Sequence, residues 1–197
     1  SDVNFINRAT KGVYELGSVF KTFTVAAGLE EGLIDTDTEF LNLEKKLKCG
    51  KNIISEYDKK IPSDLTVEQI LIRSGNIGSV RIGQKLEIDK LKLFLEKIGV
   101  LSKIDFDIEE VGEPIPFRWG KCKLATVSFG HGITTTPLQL SKGYAIIANG
   151  GFEIKPSLIK KTLEDCLKEN EGNISFCLNI RREYEECLLK HANTSKT

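Results

Sequence analysis

Methionine is absent from this 197-residue chain, tryptophan occurs once and histidine twice. With only His131 and His191 and no carboxylates at ligand spacing beside them, a metal centre has too few ligands, and none is expected. The five cysteines, Cys49, Cys122, Cys166, Cys177 and Cys187, are odd in number and form no C-x-x-C. They indicate neither a zinc site nor a disulfide framework. Charge of one sign is lacking too: Lys plus Arg and Asp plus Glu stand at 28 each, so no basic field favours nucleic acid. No apolar run approaches the ~20 residues of a membrane helix, and no basic-then-apolar leader is present. The chain opens Ser1-Asp2-Val3 without an initiator methionine, which reads as a piece of a longer protein whose targeting segment lies elsewhere.

What remains is 40% hydrophobic and 28% charged, a balance that suits one soluble domain with a real core. From Ser18 to about Gly32 the apolar residues are too continuous for a surface helix, so this helix should be central. The stretch from Phe40 to Tyr57, centred on Cys49-Gly50-Lys51-Asn52, reads as a small, peripheral hairpin. Thr66-Val67-Glu68-Gln69 is a capping box that starts a helix stopping near Ser74-Gly75. Another helix should begin beyond Asn76, and Asp89 should cap a further one over Lys90 to Ile98, with Gly99 as its stop. Residues 102–123 loosen into a long loop. Thr136-Pro137-Leu138-Gln139 joins a capping box to a proline at N1, and its apolar helix should run to Asn149-Gly150-Gly151 and pack against the Ser18 helix. Phe152 to Lys161 has strand character broken by Pro156, and Ile180 to Leu189 could form an amphipathic helix.

Two polar groupings carry chemistry. In Gly17-Ser18-Val19-Phe20-Lys21, a serine and a lysine three apart share one helix face. A lysine kept partly neutral by burial can take a proton from the serine, and a helix start favours negative charge growing there. The spacing alone also fits a helix cap followed by a solvated lysine, and Ser157 to Lys160 repeats it. In Ser74-Gly75-Asn76, a hydroxyl can relay a proton while an amide holds a lysine or a substrate carbonyl. As an isolated tripeptide it is also an ordinary turn.

Order and context connect them. Asn7-Arg8-Ala9-Thr10 runs into Gly12 to Lys21; Ser74-Gly75-Asn76-Ile77-Gly78 follows, then Phe129-Gly130-His131-Gly132, Thr136 to Leu140 and Ala148 to Gly151. Over residues 2 to about 160 the chain resembles the transpeptidase domain of class B penicillin-binding proteins, in particular the septal, cell-division type of alphaproteobacteria. Ser-x-x-Lys and Ser-x-Asn are two of the signatures of that fold family.

The resemblance implies that Ser18 is the acylated nucleophile, Lys21 its proton acceptor, Ser74 the relay to the leaving D-alanine, and Asn76 the group that binds the substrate amide. It implies a peptidoglycan stem peptide ending in D-Ala-D-Ala as substrate, β-lactams as covalent mimics, and no metal or organic cofactor. Divisome membrane proteins would be partners, and the location would be the periplasmic side of the inner membrane, with the parent anchored by an N-terminal membrane helix not present in this chain. His131 and Trp119 read as packing residues of their loops.

The third signature of the family, Lys-Thr/Ser-Gly, is represented only by Ser195-Lys196-Thr197. Lys196 and Thr197 are a candidate partial third motif; residues 180–193 lack the glycines expected before it, which leans toward a chance match. The expected fold over 1–197 is therefore mainly helical with small β hairpins. It would be the helical portion of the penicillin-binding protein/serine β-lactamase-like transpeptidase fold, most of the central antiparallel sheet absent, with a divergent or truncated tail over 174–197. Such a piece is expected to turn over little substrate and to self-associate through an uncovered apolar face. A non-catalytic scaffold or sensor of the same fold, or an unrelated helical interaction domain, are the alternatives.

Overall fold

The structure, a computed structural model, describes residues 6–158 together with Glu164, Leu167 and Lys168. The chain divides into two units, Ser1–Pro156 and Ser157–Thr197. In the second, Glu164 and Lys168 form an i,i+4 ion pair at 3.0 Å. The stretch 180–189 and the pair Lys196-Thr197 lie outside the described residues.

The first unit begins with strand β1 (Tyr14–Glu15), a 3₁₀ turn over Gly17–Phe20, and helix α1 (Lys21–Glu30). Ser18 thus sits in a tight 3₁₀ entry, a common way for an α-helix to begin, rather than in the α-helix itself. Short strand β2 (Glu39–Phe40) precedes the hairpin β3 (Lys46–Cys49) and β4 (Asn52–Ser55), whose register places Cys49 opposite Asn52 across the Gly50-Lys51 turn. Strand β5 (Leu65–Thr66) pairs with β2, and helix α2 (Val67–Ile72) follows at once. Both halves of the expected box are made at its start: Thr66 Oγ1 accepts from the Gln69 N–H, and Gln69 Oε1 from the Thr66 N–H.

Helix α3 spans Asn76–Lys97, but Glu87 inside it has φ 63° and ψ 177°. The break expected near Asp89 therefore falls two residues earlier, in a left-handed backbone uncommon for a residue with a Cβ. A loop leads to α4 (Lys121–Val127), then β6 (Thr134–Thr135) and α5 (Pro137–Ala148). The loop expected over 102–123 ends at Gly120, and the last three residues of that stretch open helix α4, which no expectation covered. Conversely, Phe152 to Leu158 form no strand. Of the three antiparallel two-stranded pairs among the described residues, only β3–β4 is a hairpin; β1–β6 and β2–β5 join distant segments. No larger sheet forms among those residues.

The core is built chiefly between α1 and α3, with α4 packed on α3 and its end reaching α1, where Thr24 Oγ1 donates to Ser128 O at 2.9 Å. Phe20, Phe23, Ala27, Ile77, Ile82 and Leu86 are all fully buried there. Helices α3 and α4 come so close that a Cβ on Gly83 would lie 1.8 Å from Ser128 Oγ, so glycine is needed at that crossing. As expected, α5 packs against the helix that follows Ser18, but from one side rather than as part of the centre. α5 covers one flank of α1 and buries only Gln139, Gly143 and Ile146. Its Tyr144 packs edge-on to Phe23 at 5.1 Å, while its hydroxyl donates to Val19 O at 2.6 Å.

This difference in burial predicts unequal mutational costs. Phe23→Ala should lower stability by about 3–5 kcal/mol, since an aromatic is removed from a fully buried site. Tyr144→Phe, which removes only the hydroxyl's contacts with Val19 O and Thr22 Oγ1, should cost about 0.5–1.5 kcal/mol. Urea titrations of the two variants test the ranking, and equal costs would contradict it.

Candidate active site

The 3₁₀ turn before α1 leaves Ser18 exposed at the rim of a cleft of about 320 Å³. One turn on, Lys21 points inward and is 1% exposed. The end of α2 comes to meet it: Ser74 adopts φ 54°, a left-handed turn that brings both its carbonyl and its hydroxyl to one amine. Lys21 Nζ donates to Ser74 O at 2.5 Å, Ser74 Oγ at 2.9 Å and Asn76 Oδ1 at 2.7 Å. Groups 53 and 55 residues apart in sequence are thereby joined, and the two motifs read from the sequence share one site. Among the described residues no side-chain hydrogen bond links Ser18 to Lys21, whose backbone N–H donates to Ser18 O; all three protons of the amine are taken by Ser74 and Asn76.

The three acceptors are not equivalent. A carbonyl and an amide oxygen only accept, whereas the Ser74 hydroxyl can reverse and donate to a neutral amine. Loss of a proton from Lys21 therefore has one internal accommodation, through Ser74 Oγ. Burial disfavours the charged form and lowers the Lys21 pKa from 10.5 to about 8, while the charge of Glu56 works in the opposite direction. An ordinary solvated lysine would be almost wholly protonated at neutral pH; this one is close enough to titration to exchange protons.

Residues that the sequence left outside the site complete it. The carboxylate of Glu56 accepts from Asn76 N at 2.7 Å and Ile77 N at 2.8 Å. Ser55 O accepts from Asn76 Nδ2 at 2.9 Å. The hairpin expected to be peripheral thus delivers two residues to the Ser-x-Asn segment. One clue was readable beforehand: Gly75, before the helix start at Asn76, has no side chain to serve as a cap.

On the opposite wall, Gly17 N donates to Gly130 O at 2.9 Å. Gly130 has φ +86°, and a Cβ there would fall 1.8 Å from Gly17 O, so only glycine allows the Phe129–Gly132 loop to seat against the turn bearing Ser18. His131 lies in this loop, exposed rather than packed into the core. Its ring lies parallel to Phe129 at 6.1 Å and its Nδ1 is 3.3 Å from Glu15. Glu15 also accepts from the Gly132 N–H. Trp119 packs on Phe117 at 4.9 Å in the loop before α4, as expected.

A disulfide joins Cys49 in the hairpin to Cys122 in α4 across 73 residues. The sequence indicated no disulfide framework; a single bridge between distant segments leaves no spacing pattern to read. No group of three or more potential ligands gathers as a metal site among the described residues.

The geometry is matched by similarity. Residues 1–183 fit the family model of the penicillin-binding protein transpeptidase domain. The chain belongs to that family. A probable FtsI-type peptidoglycan D,D-transpeptidase of the alphaproteobacterium Caulobacter vibrioides is 31% identical over 162 residues, covering 82% of this chain and 27% of the relative. A probable D,D-transpeptidase, PenA, of Neisseria flavescens is 30% identical, covering 79% of this chain and 38% of the relative. The chain thus spans well under half the length of these curated relatives. Its fold is that of the apo transpeptidase domain of penicillin-binding protein 3 from Burkholderia pseudomallei. The TM-score is 0.73 at 23% identity, with 79% of this chain and 47% of that one covered. The sequence resemblance to the septal, FtsI-type class B transpeptidases is supported by the relatives, and the fold agrees with that of a transpeptidase domain.

Proposed function

We propose that the protein is a septal peptidoglycan D,D-transpeptidase working through a serine acyl-enzyme, with Ser18, Lys21 and Ser74 catalytic and Asn76 binding substrate. The observation that carries this reading is the buried Lys21 amine, held between Ser74 and Asn76 one turn from an exposed serine. Neutral Lys21 accepts the Ser18 proton as Ser18 Oγ bonds to the penultimate D-alanine carbonyl of a stem peptide. The oxyanion grows beside first-turn N–H groups that have no helical partner. As the carbon–nitrogen bond breaks, the proton passes from Lys21 through Ser74 to the amine of the departing D-alanine. An amine of a second stem peptide then attacks the acyl-enzyme carbonyl; its proton returns through Ser74 and Lys21 to Ser18 Oγ as the ester bond breaks, which frees Ser18 and the cross-linked product. A β-lactam would follow the first half of this sequence, its ring amide opening in place of the peptide bond.

The Cys49–Cys122 disulfide supports residence in an oxidising compartment, in keeping with the periplasmic side of the inner membrane. Among the described residues no helix is long and apolar enough to cross a membrane; the membrane anchor belongs to this proposal for the parent protein. So do divisome membrane proteins as partners, and self-association through the half-covered face of α5.

Labelling the full-length protein with a fluorescent penicillin tests the reading. The expected result is one covalent adduct per protein, mapped to Ser18 by peptide mass spectrometry and lost in Ser18→Ala. A folded protein that takes no label would favour a non-catalytic scaffold or sensor.

A further inference from the structure

We infer that Glu56 is a positioning residue for acyl transfer: its carboxylate clamps the first turn of α3 and fixes Asn76, and through it Lys21, in the working arrangement. The inference rests on the acyl-enzyme reading and adds a fifth polar residue to Ser18, Lys21, Ser74 and Asn76.

The case begins at Asn76. Its amide could turn either way, and the two orientations present opposite chemistry to Lys21. With Oδ1 toward the amine the contact is attractive; with Nδ2 toward it, donor meets donor. The hairpin decides which is adopted. Ser55 O takes the Nδ2 proton at 2.9 Å, leaving Oδ1 for Lys21 at 2.7 Å. Glu56 Oε2 holds the backbone of the same residue at 2.7 Å, and its Oε1 holds Ile77 N at 2.8 Å. One carboxylate therefore satisfies two of the unpaired N–H groups of α3, where the helix dipole also favours negative charge. Since Gly75 has no side chain to do this, the cap comes from a residue 20 positions upstream. A half-buried carboxylate with both oxygens engaged is rigid, and Asn76 held at backbone and side chain inherits that rigidity.

The second consequence is electrostatic. Other ionisable groups line the cleft, namely Glu15, Tyr57, Asp58, Arg73 and His131, but Glu56 is the one whose charge acts on Lys21, opposing the effect of burial. Removing that charge while keeping an acceptor in place should therefore let burial act unopposed, so that Lys21 loses its proton at lower pH. A cap that merely stabilised the fold would leave the titration of Lys21 where it is.

The experiment measures the rate of acylation by a fluorescent penicillin from pH 6 to 10 for the full-length wild type, Glu56→Gln and Glu56→Asp, alongside urea denaturation. The wild type should rise to a plateau with an inflection near the pKa of Lys21, about 8. Glu56→Gln should move the inflection to lower pH and cut the plateau by about 10- to 100-fold, as a displaced Asn76 misplaces the base. Glu56→Asp, which keeps the charge on a shorter arm, should retain the inflection with a reduced plateau. A folded Glu56→Gln with unshifted inflection and unchanged plateau overturns the inference. Should Glu56→Gln not fold, Glu56→Asp decides: a lowered plateau upholds the clamp, and wild-type behaviour in both respects overturns it. Absence of labelling in the wild type overturns the acyl-enzyme reading itself, an outcome distinct from either.

Discussion

Lys21→Ala should reduce acylation of Ser18 by at least about 10²–10⁴-fold, the range that a positioned base contributes. The substitution removes the amine joined to Ser74 and Asn76 and, on the proposed reading, leaves Ser18 with no base one turn away. Lys21→Arg should fail as well, although it keeps the charge and much of the volume, because a guanidinium is not deprotonated in proteins. In the wild type the rate should climb about tenfold per pH unit up to about pH 8 and then level off, because the neutral amine is the active form and the pKa is lowered to about 8. The same displacement acts on stability. The folded-state pKa lies below the unfolded one, so between pH 8 and 10.5 the unfolded chain binds more protons at this position. The contribution of Lys21 therefore opposes folding below pH 8, and that opposition fades as pH rises toward 10.5. Urea midpoints of wild type and Lys21→Ala at pH 8 and pH 10 should converge or cross in that direction. A flat acylation profile from pH 6 to 10 would remove Lys21 from the role of base.

Breaking the Cys49–Cys122 bridge should have the second large effect. A cross-link spanning 73 residues restricts the unfolded chain enough to contribute about 4 kcal/mol in the loop-entropy account. Cys122 is exposed, so a thiol reductant can reach the bond, and Cys49→Ser combined with Cys122→Ser should reproduce the effect of reduction. More than stability is at stake, because the bridged hairpin carries Ser55 and Glu56 to Asn76. Reduced protein that remains folded should therefore acylate more slowly than oxidised protein at the same temperature. Identical melting and identical labelling with and without reductant would show that packing alone holds the hairpin.

Much of this architecture is legible in local chemistry. The boxes at Thr66 and Thr136, the turn at Gly50-Lys51 and the apolar run after Ser18 each rest on interactions within a few residues, and each forms as read. Lys21, Ser74 and Asn76 were legible as types of chemistry, and the docking of α1 with α3 brings them together. What escaped is tertiary in origin. The seven residues of α4 begin after Gly120 with Lys-Cys-Lys, have no capping side chain and are too short to display a period. The strand pairs β1–β6 and β2–β5 unite segments whose partners are far along the chain. Glu56 looks like one more surface carboxylate until the hairpin folds back on α3, and Glu87 takes its left-handed backbone inside a stretch that otherwise reads as helical.

The contact between Gly130 and Gly17 also bears on how this protein can change under selection. On the proposed acyl-enzyme reading, a covalent inhibitor that consumes Ser18 would favour variants with an altered cleft, yet the wall nearest Ser18 offers almost none. Any side chain at residue 130 meets the Gly17 carbonyl at 1.8 Å in a backbone conformation that side chains resist, so escape there would forfeit the turn that presents Ser18. The tolerant positions lie on the other rim, where Tyr57 and Arg73 are exposed. Heritable resistance should accumulate at that rim while the glycine wall stays fixed.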